Sequence, residues 1–113
     1  MSEDSVETPQ LPAPRWLSRA EKADFRRIEG QRAAAGKPLS ATEVDAVADL
    51  VSARSRIADL RRLYRDAARE YRSSPYEPQA KLVLSIATRI DAATAAAQRQ
   101  ARRLGLGQVG EKE

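Results

Sequence analysis

Cysteine, histidine and asparagine are absent from the 113-residue sequence. Without Cys and His the chain has no disulfide, no zinc site with thiolate or imidazole ligands, and no Ser-His or Cys-His catalytic pair. Aromatic residues are also scarce, at 4% of the chain. Leu, Ile, Val and Phe together make up about 19% of the residues, close to the level at which disorder becomes an alternative to a packed core.

Alanine and arginine are abundant instead. The 21 alanines predict helices, because Ala is the strongest helix former and is unfavourable in strands. We therefore expect an all-α protein with a thin core, for which self-association is a source of extra stability. The 16 arginines contribute to a net charge of +4, which permits a polyanionic partner without requiring one.

No catalytic, cofactor or metal-binding set emerges from the sequence. Residues 30–37 read GQRAAAGK, which differs from a phosphate-binding loop in the spacing of its glycines and in the residue after the lysine. Asp45 and Asp49 are one helical turn apart near a helix start, where the helix dipole stabilises negatively charged side chains. We expect a protein that is not an enzyme and that binds no small-molecule substrate.

Membrane insertion and export are not expected. No apolar run approaches the length of a membrane span, and the first ten residues lack the apolar core of a signal peptide. The expected location is the cytoplasm of a host cell.

The expected domain organisation is a flexible acidic arm over residues 1–14, a helical domain over 15–106 and a flexible tail over 107–113. Pro9, Pro12 and Pro14 break up the arm.

Three helices are predicted within the helical domain. The first begins at a capping box formed by Ser18 and Glu21, and the second at another formed by Ser40 and Glu43. The second helix should run to about Arg72, since it contains neither Gly nor Pro.

A short turn over residues 73–78 predicts that the third helix folds back antiparallel to the second. Either Pro75 or Pro78 can occupy the first position of this helix. Its end is predicted at Leu104, with Gly105 in the left-handed conformation and Leu106 folding back onto the helix.

The second helix carries an apolar seam whose members recur at steps of three and four residues, as in a coiled coil. This seam is longer than one neighbouring helix needs, which predicts that part of it lies at a subunit boundary. The predicted oligomer interface consists of Leu50, Ile57, Leu60, Tyr64 and Tyr71.

Two rows of basic residues are candidates for contact with DNA phosphates. The first choice is the row on helix one, formed by Arg15, Arg19, Lys22 and Arg26. The second choice lies on helix two, where salt bridges across a subunit boundary are an equal explanation, and is formed by Arg54, Arg61, Arg65 and Arg72. A third face, from Arg56 to Arg69, alternates in charge and is expected to neutralise itself.

The order of short motifs resembles that of the small terminase subunits of tailed phages and of phage-like gene transfer agents. A PRWLS segment at residues 14–18 leads into a charged helix, and GKPLS at residues 36–40 opens a long helix. An Ala- and Arg-rich helix then closes with LGL at residues 104–106. The resemblance implies that Trp16 and Leu17 anchor the first helix.

The resemblance also implies a ring-like homo-oligomer that binds double-stranded DNA and recruits or stimulates a large terminase subunit, which carries the ATPase and nuclease. Relatives that recognise a packaging site carry a separate helix-turn-helix, for which this chain has no room, so DNA binding should be weak or non-specific. Two alternatives are a helical oligomeric adaptor that binds only protein and a small basic DNA-binding regulator that acts as a dimer.

Overall fold

The computed structural model describes residues 11–106, which form three α-helices and contain no β-strand. Helix α1 spans Arg19–Ala34, α2 spans Val44–Ser73 and α3 spans Glu77–Arg103. The all-α prediction is confirmed for these residues. The predicted tail over 107–113 and the first ten residues of the predicted arm lie outside the described part of the chain.

The start of α1 has the predicted form. The Glu21 N–H donates to Ser18 Oγ at 3.1 Å, and the Ser18 N–H donates to Glu21 Oε1 at 2.8 Å. At the other end Gly36 has a φ of 81°, which a residue without a Cβ adopts at little cost. This turn lets the Lys37 N–H reach the Arg32 carbonyl at 2.9 Å and ends the helix.

The chain before α2 forms a 3₁₀ helix, which was not predicted, ahead of the α-helix. A one-turn 3₁₀ helix over Ala41–Glu43 precedes it, and the Glu43 N–H donates to the Ser40 carbonyl at 3.0 Å. The Glu43 carboxylate in turn accepts from the Ser40 N–H at 3.0 Å, as the capping box requires. Helix α3 begins at Glu77 with Pro78 in its first turn, where the missing N–H of proline costs no helical hydrogen bond.

The predicted end of α3 is confirmed in detail. Gly105 has a φ of 76°, the Leu106 N–H donates to the Ala101 carbonyl at 2.8 Å, and the Gly105 N–H donates to Arg102 at 3.0 Å. These two bonds define a Schellman motif. The motif turns the Leu106 side chain back into the core, where it is buried.

The hydrophobic core lies at one end of the molecule. It joins α1, the first half of α2 and the last turn of α3, and it consists of Leu17, Phe25, Ile28, Leu39, Val47, Ala48, Leu50, Val51, Ala101, Leu104 and Leu106. The remaining buried hydrophobic residues in the described range are Ile57, Ala67 and Ile86. The molecule therefore has a thick end built from three helices and a thin end built from α2 and α3 alone.

Helices α2 and α3 contact each other at two places along their length. At the thick end, Gln100 Nε2 donates to the Ala46 carbonyl at 3.5 Å. At the thin end, Leu82 of α3 and Leu63 of α2 line the same groove.

The predicted arm extends too far along the chain. The Leu11 N–H donates to Glu29 Oε2 at 3.0 Å, and the Leu11 carbonyl accepts from Arg26 Nη1 at 2.6 Å. Leu11 and Ala13 also pack against the core. Leu11 and Ala13 are therefore part of the folded chain and not of a flexible arm, because their side chains pack against the core ahead of α1.

Trp16 and Leu17 have different environments, although both were expected to anchor α1. Leu17 is buried in the core, as predicted, whereas Trp16 is 60% exposed. The anchor role of Trp16 is therefore wrong. The turn before α1 directs only one of two adjacent side chains inward, and the smaller leucine occupies that position.

Candidate nucleic-acid and subunit interfaces

Three cations stand on the surface at the start of α1. Arg19 and Lys22 lie in the first two turns of the helix, Arg15 lies just before it, and all three side chains are exposed. Among the described residues none of them has a carboxylate within ion-pair distance. The exposed Trp16 ring lies next to Arg15 in the chain. This surface combines positive charge with an accessible aromatic ring, both of which bind nucleic acids.

Arg26, the fourth member of this row, has a structural role. Its Nη1 lies 2.7 Å from Glu29 Oε1 and donates to the Leu11 carbonyl at 2.6 Å. Since Glu29 also accepts from the Leu11 N–H, the pair clamps the incoming chain onto α1. The charge of Arg26 is balanced within the subunit, so the members of the row without an ion pair in the range 11–106 are Arg15, Arg19 and Lys22.

The basic row on α2 also contains one arginine that is paired within the subunit. Arg54 Nη1 lies 3.4 Å from Asp24 Oδ1 and links α2 to α1. Arg61, Arg65 and Arg72 are exposed and make no ion pair with another described residue. These three arginines, hereafter the arginine edge, follow one side of the thin end.

The alternating face of α2 behaves as predicted in two places. Arg62 pairs with Asp59, and Arg69 lies 3.3 Å from Asp66. All four side chains are largely exposed, so solvent screens the pairs and each contributes little to stability.

Arg32 forms the most extensively bonded polar cluster in the described residues, and sequence reasoning missed it. The side chain is only 12% exposed. Its Nε donates to the Lys37 carbonyl at 2.7 Å, and its Nη1 donates to the Leu104 carbonyl at 3.0 Å. Both terminal nitrogens also bind the Glu43 carboxylate, at 3.1 and 3.2 Å. One guanidinium therefore joins the end of α1, the start of α2 and the end of α3.

Two capping carboxylates have lowered pKa values. Donation from the Ser40 backbone N–H, and then from Arg32, lowers the pKa of Glu43. Donation from the Ser18 backbone N–H lowers the pKa of Glu21, against a smaller opposite effect of desolvation. Hydrogen bonds to the charged form stabilise it in both cases, so both carboxylates act as structural groups at helix starts.

The residues predicted for the oligomer interface are split between the core and the surface. Leu50 is 2% exposed and belongs to the core, and Ile57 is also buried within the subunit. In this conformation neither can contact a second copy, because α1 and α3 already cover this part of α2. Leu60 and Tyr71 are half-buried, and Tyr64 is exposed.

Exposed leucines that lie off the seam mark a better candidate for a subunit contact. Leu63 is 55% exposed and Leu82 is 47% exposed. They flank a groove of about 500 Å³ between α2 and α3 at the thin end. We call this the leucine groove; its apolar lining is Leu60, Leu63, Ala67, Leu82 and Ile86, and its polar rim is Asp66, Glu70, Gln79, Ser85 and Arg89. Leucines outside the repeat of three and four residues were the sequence signal for this surface.

A second cleft lies on the other side of the α2–α3 pair. Its volume is about 340 Å³, and it is lined by Arg54, Ile57, Arg61, Thr94, Ala97, Gln98 and Ala101. The Thr94 hydroxyl is buried and has no hydrogen-bond partner among the described residues. This cleft reaches toward the thick end, since Ala101 belongs to the core, and Arg61 is the member of the arginine edge that lines it.

Within residues 11–106, no three acidic side chains are grouped as metal ligands. None of the three helices has an apolar stretch long enough to cross a membrane. No protein family, curated protein or solved structure matches this chain, and the resemblance to small terminase subunits stays a prediction.

Proposed function

We propose that this protein is a small terminase subunit that assembles into a ring, binds double-stranded DNA without sequence specificity and engages a large terminase subunit during DNA packaging in the host cytoplasm. In this proposal α2 and α3 form an antiparallel hairpin, and copies of the hairpin pack side by side around the ring.

The separation of two surfaces carries the proposal. The cations at the start of α1 form no ion pair within residues 11–106 and lie beside the middle of α2, where Ala20 lines a depression with Ala58 and Asp59. The leucine groove lies between α2 and α3 and shares no lining residue with that depression. A polyanion and a second copy of the chain can thus bind at the same time. A ring repeats the α1 cations once in every subunit, so that weak phosphate contacts add up along the duplex.

Arginine and lysine can contact phosphates or read guanine in the major groove, and we assign the cations at the start of α1 to phosphates. Arg15, Arg19 and Lys22 supply charge, and Trp16 supplies a ring for stacking or for a sugar contact. Among the described residues near this surface, no Gln is placed beside the cations for bidentate reading of an adenine. Phosphate contacts position a protein on DNA but carry no direct sequence information.

A salt titration of DNA binding tests the proposal. Fluorescence anisotropy would compare the wild-type chain with the Arg15→Ala, Arg19→Ala, Lys22→Ala variant on duplexes of several sequences. We expect equal loss of affinity on all duplexes and a shallower dependence on salt, by about 0.9 in log–log slope for each phosphate contact removed.

A matched control removes the same charge from the alternating face of α2. The Arg56→Ala, Arg62→Ala, Arg69→Ala variant should bind DNA nearly as the wild type does, since two of these arginines are paired with aspartates. Equal losses in both variants would mean that only net charge matters, and an unchanged affinity in the α1 variant would remove α1 as the DNA surface.

The proposed contact with a large terminase subunit is tested by native mass spectrometry, which gives the mass of the assembly, and by an assay of the ATPase of the large subunit. The wild-type chain would be measured alone and with a candidate large subunit, followed by a chain that lacks residues 107–113. We expect the deletion to leave the mass of the oligomer unchanged and to reduce stimulation of the ATPase of the large subunit. Unaltered stimulation would exclude the tail from this contact.

An adaptor that binds only protein is the second candidate function. The exposed leucine groove favours it, because this surface requires a protein partner and no DNA. An adaptor would assemble as the terminase subunit does but would show no salt-dependent binding to duplexes.

A further inference from the structure

The leucine groove and the arginine edge lie on opposite sides of α2. Leu63 lines the groove and Arg61 lines the opposite cleft, and the two clefts share no lining residue. At 100° per residue, Leu63 and Arg61 point about 160° apart around the helix. A subunit that presents both sides can therefore contact one neighbour through the groove and another through the edge.

Acidic residues accompany the leucine groove. Asp66 and Glu70 lie on its rim, and Asp59 lies in the adjoining depression, which shares Leu60 with the groove. Arg56 and Arg89 lie on the same side, and Asp59 and Asp66 already pair with Arg62 and Arg69 of their own subunit. The two sides therefore match through the positions of individual charges and not through net charge.

Those positions agree along the helix axis. At a rise of about 1.5 Å per residue, Arg65 and Asp66 stand within about 2 Å of the same height. Arg61 and Asp59 differ by two residues, as do Arg72 and Glu70, which is about 3 Å in each case. If two copies of α2 stand parallel without an axial shift, each member of the arginine edge faces a carboxylate of its neighbour.

The absence of an axial shift is the condition for a closed ring. Subunits related by rotation about a ring axis stay at equal height, whereas a shift produces an open helix. The three charge pairs therefore fit a ring in which α2 runs roughly along the axis.

We propose that the leucine groove of one copy receives the arginine edge of a second copy, head to tail. This inference rests on the ring of the proposed function and assigns the row on α2 to subunit contacts instead of DNA. The aliphatic stems of Arg61 and Arg65 cover Leu63 and Leu82, and their guanidinium groups reach the acidic rim. The groove offers apolar side chains to the arginine stems and the carboxylates of Asp66 and Glu70 to their guanidinium groups.

Charge reversal tests the pairing. We would measure mass by light scattering and native mass spectrometry for an edge variant, Arg65→Glu with Arg72→Glu, and for a rim variant, Asp66→Arg with Glu70→Arg. Each variant alone should lose the oligomer at micromolar concentration. The chain that carries all four substitutions should recover it, as should an equimolar mixture of the two variants.

The control for the edge variant is Arg19→Glu with Lys22→Glu, which makes the same charge change on α1. It should keep the oligomer mass. Circular dichroism would show that each chain is helical. If the variant with four substitutions does not fold, the equimolar mixture tests whether the groove contacts the edge.

A monomeric wild-type chain would overturn both the ring and this contact. An edge variant that keeps its mass, or a mixture of helical variants that fails to reassemble, would overturn the contact alone. If the reversal restores assembly but the wild-type oligomer does not bind DNA, the contact stands and the DNA-packaging function falls.

Discussion

Arg32 shows how a single residue can hold three helices together. Replacing it with methionine keeps most of its apolar volume but leaves the Glu43 carboxylate and the Leu104 carbonyl without this donor. We expect Arg32→Met to lower the free energy of unfolding by about 1–2 kcal/mol, because partly buried acceptors then lose their donor. Chemical denaturation measures this change.

Arg27 provides the matched control for Arg32. It lies on the same helix and also forms an ion pair, with Asp24 at 3.1 Å, but its side chain is largely exposed. Arg27→Met should cost no more than about 0.5 kcal/mol. Equal effects of the two substitutions would contradict the role of Arg32 as a junction.

The lowered pKa of Glu43 predicts a pH dependence of stability. Hydrogen bonds from Ser40 and Arg32 hold the folded-state pKa below the ordinary value of 4.5. The carboxylate therefore stabilises the fold fully above that value, and its contribution is lost as the pH falls through the lowered folded pKa. Thermal melts from about pH 6 to pH 3 should show a smaller decline for Glu43→Gln than for the wild type. Parallel declines would mean that other carboxylates account for the acid sensitivity.

At the scale of the helices, the sequence predicted what is encoded locally. The capping box of Ser18 and Glu21 and the glycine motif at Gly105 involve residues within six positions of one another, and both form as predicted. Long-range partners were not predictable in this way. Arg32 binds the Leu104 carbonyl, 72 residues away, and a backbone carbonyl carries no residue type that a pattern could reveal.

The apolar seam of α2, part of which was predicted to lie at a subunit boundary, is only partly buried within the subunit: Leu50 and Ile57 are buried, whereas Tyr64 is exposed. Periodicity gives the direction in which a side chain points and says nothing of whether the covering helix belongs to the same chain. Leu50 meets the core of its own subunit, whereas Leu63, which is outside the seam, remains exposed. The leucine groove was therefore indicated in the sequence by leucines that fall outside the repeat of three and four residues.

Two glycines at helices should respond to alanine in opposite directions. Gly30 lies inside α1 and Gly105 ends α3 with a φ of 76°. A Cβ at either position would meet no atom within 4 Å, so only backbone energetics distinguish them. We expect Gly30→Ala to stabilise the protein by about 0.5–1 kcal/mol and Gly105→Ala to destabilise it by about 1–2 kcal/mol. Changes of the same sign in thermal or chemical denaturation would contradict this assignment.

At the scale of the whole molecule, burial is distributed unevenly. The described residues measure 62 × 30 × 23 Å, and the core occupies only the end where α1 joins the other two helices. The thin end has a narrow strip of buried side chains between two helices, with leucines left at its surface. Its stability should therefore depend more on neighbouring copies than that of the thick end does.

This dependence predicts that the melting temperature rises with protein concentration, since a partner that binds only the folded chain stabilises it by mass action. Leu63→Gln should weaken the dependence, because it places a polar group in the leucine groove. Leu84→Gln is the matched control, since Leu84 is 68% exposed on α3 and does not line the groove. Melts over a hundredfold range of concentration should show a reduced slope for Leu63→Gln and a wild-type slope for Leu84→Gln. A wild-type melting temperature that does not change with concentration would mean that the thin end is stable without a neighbour, and the exposed leucines would then have no role in assembly.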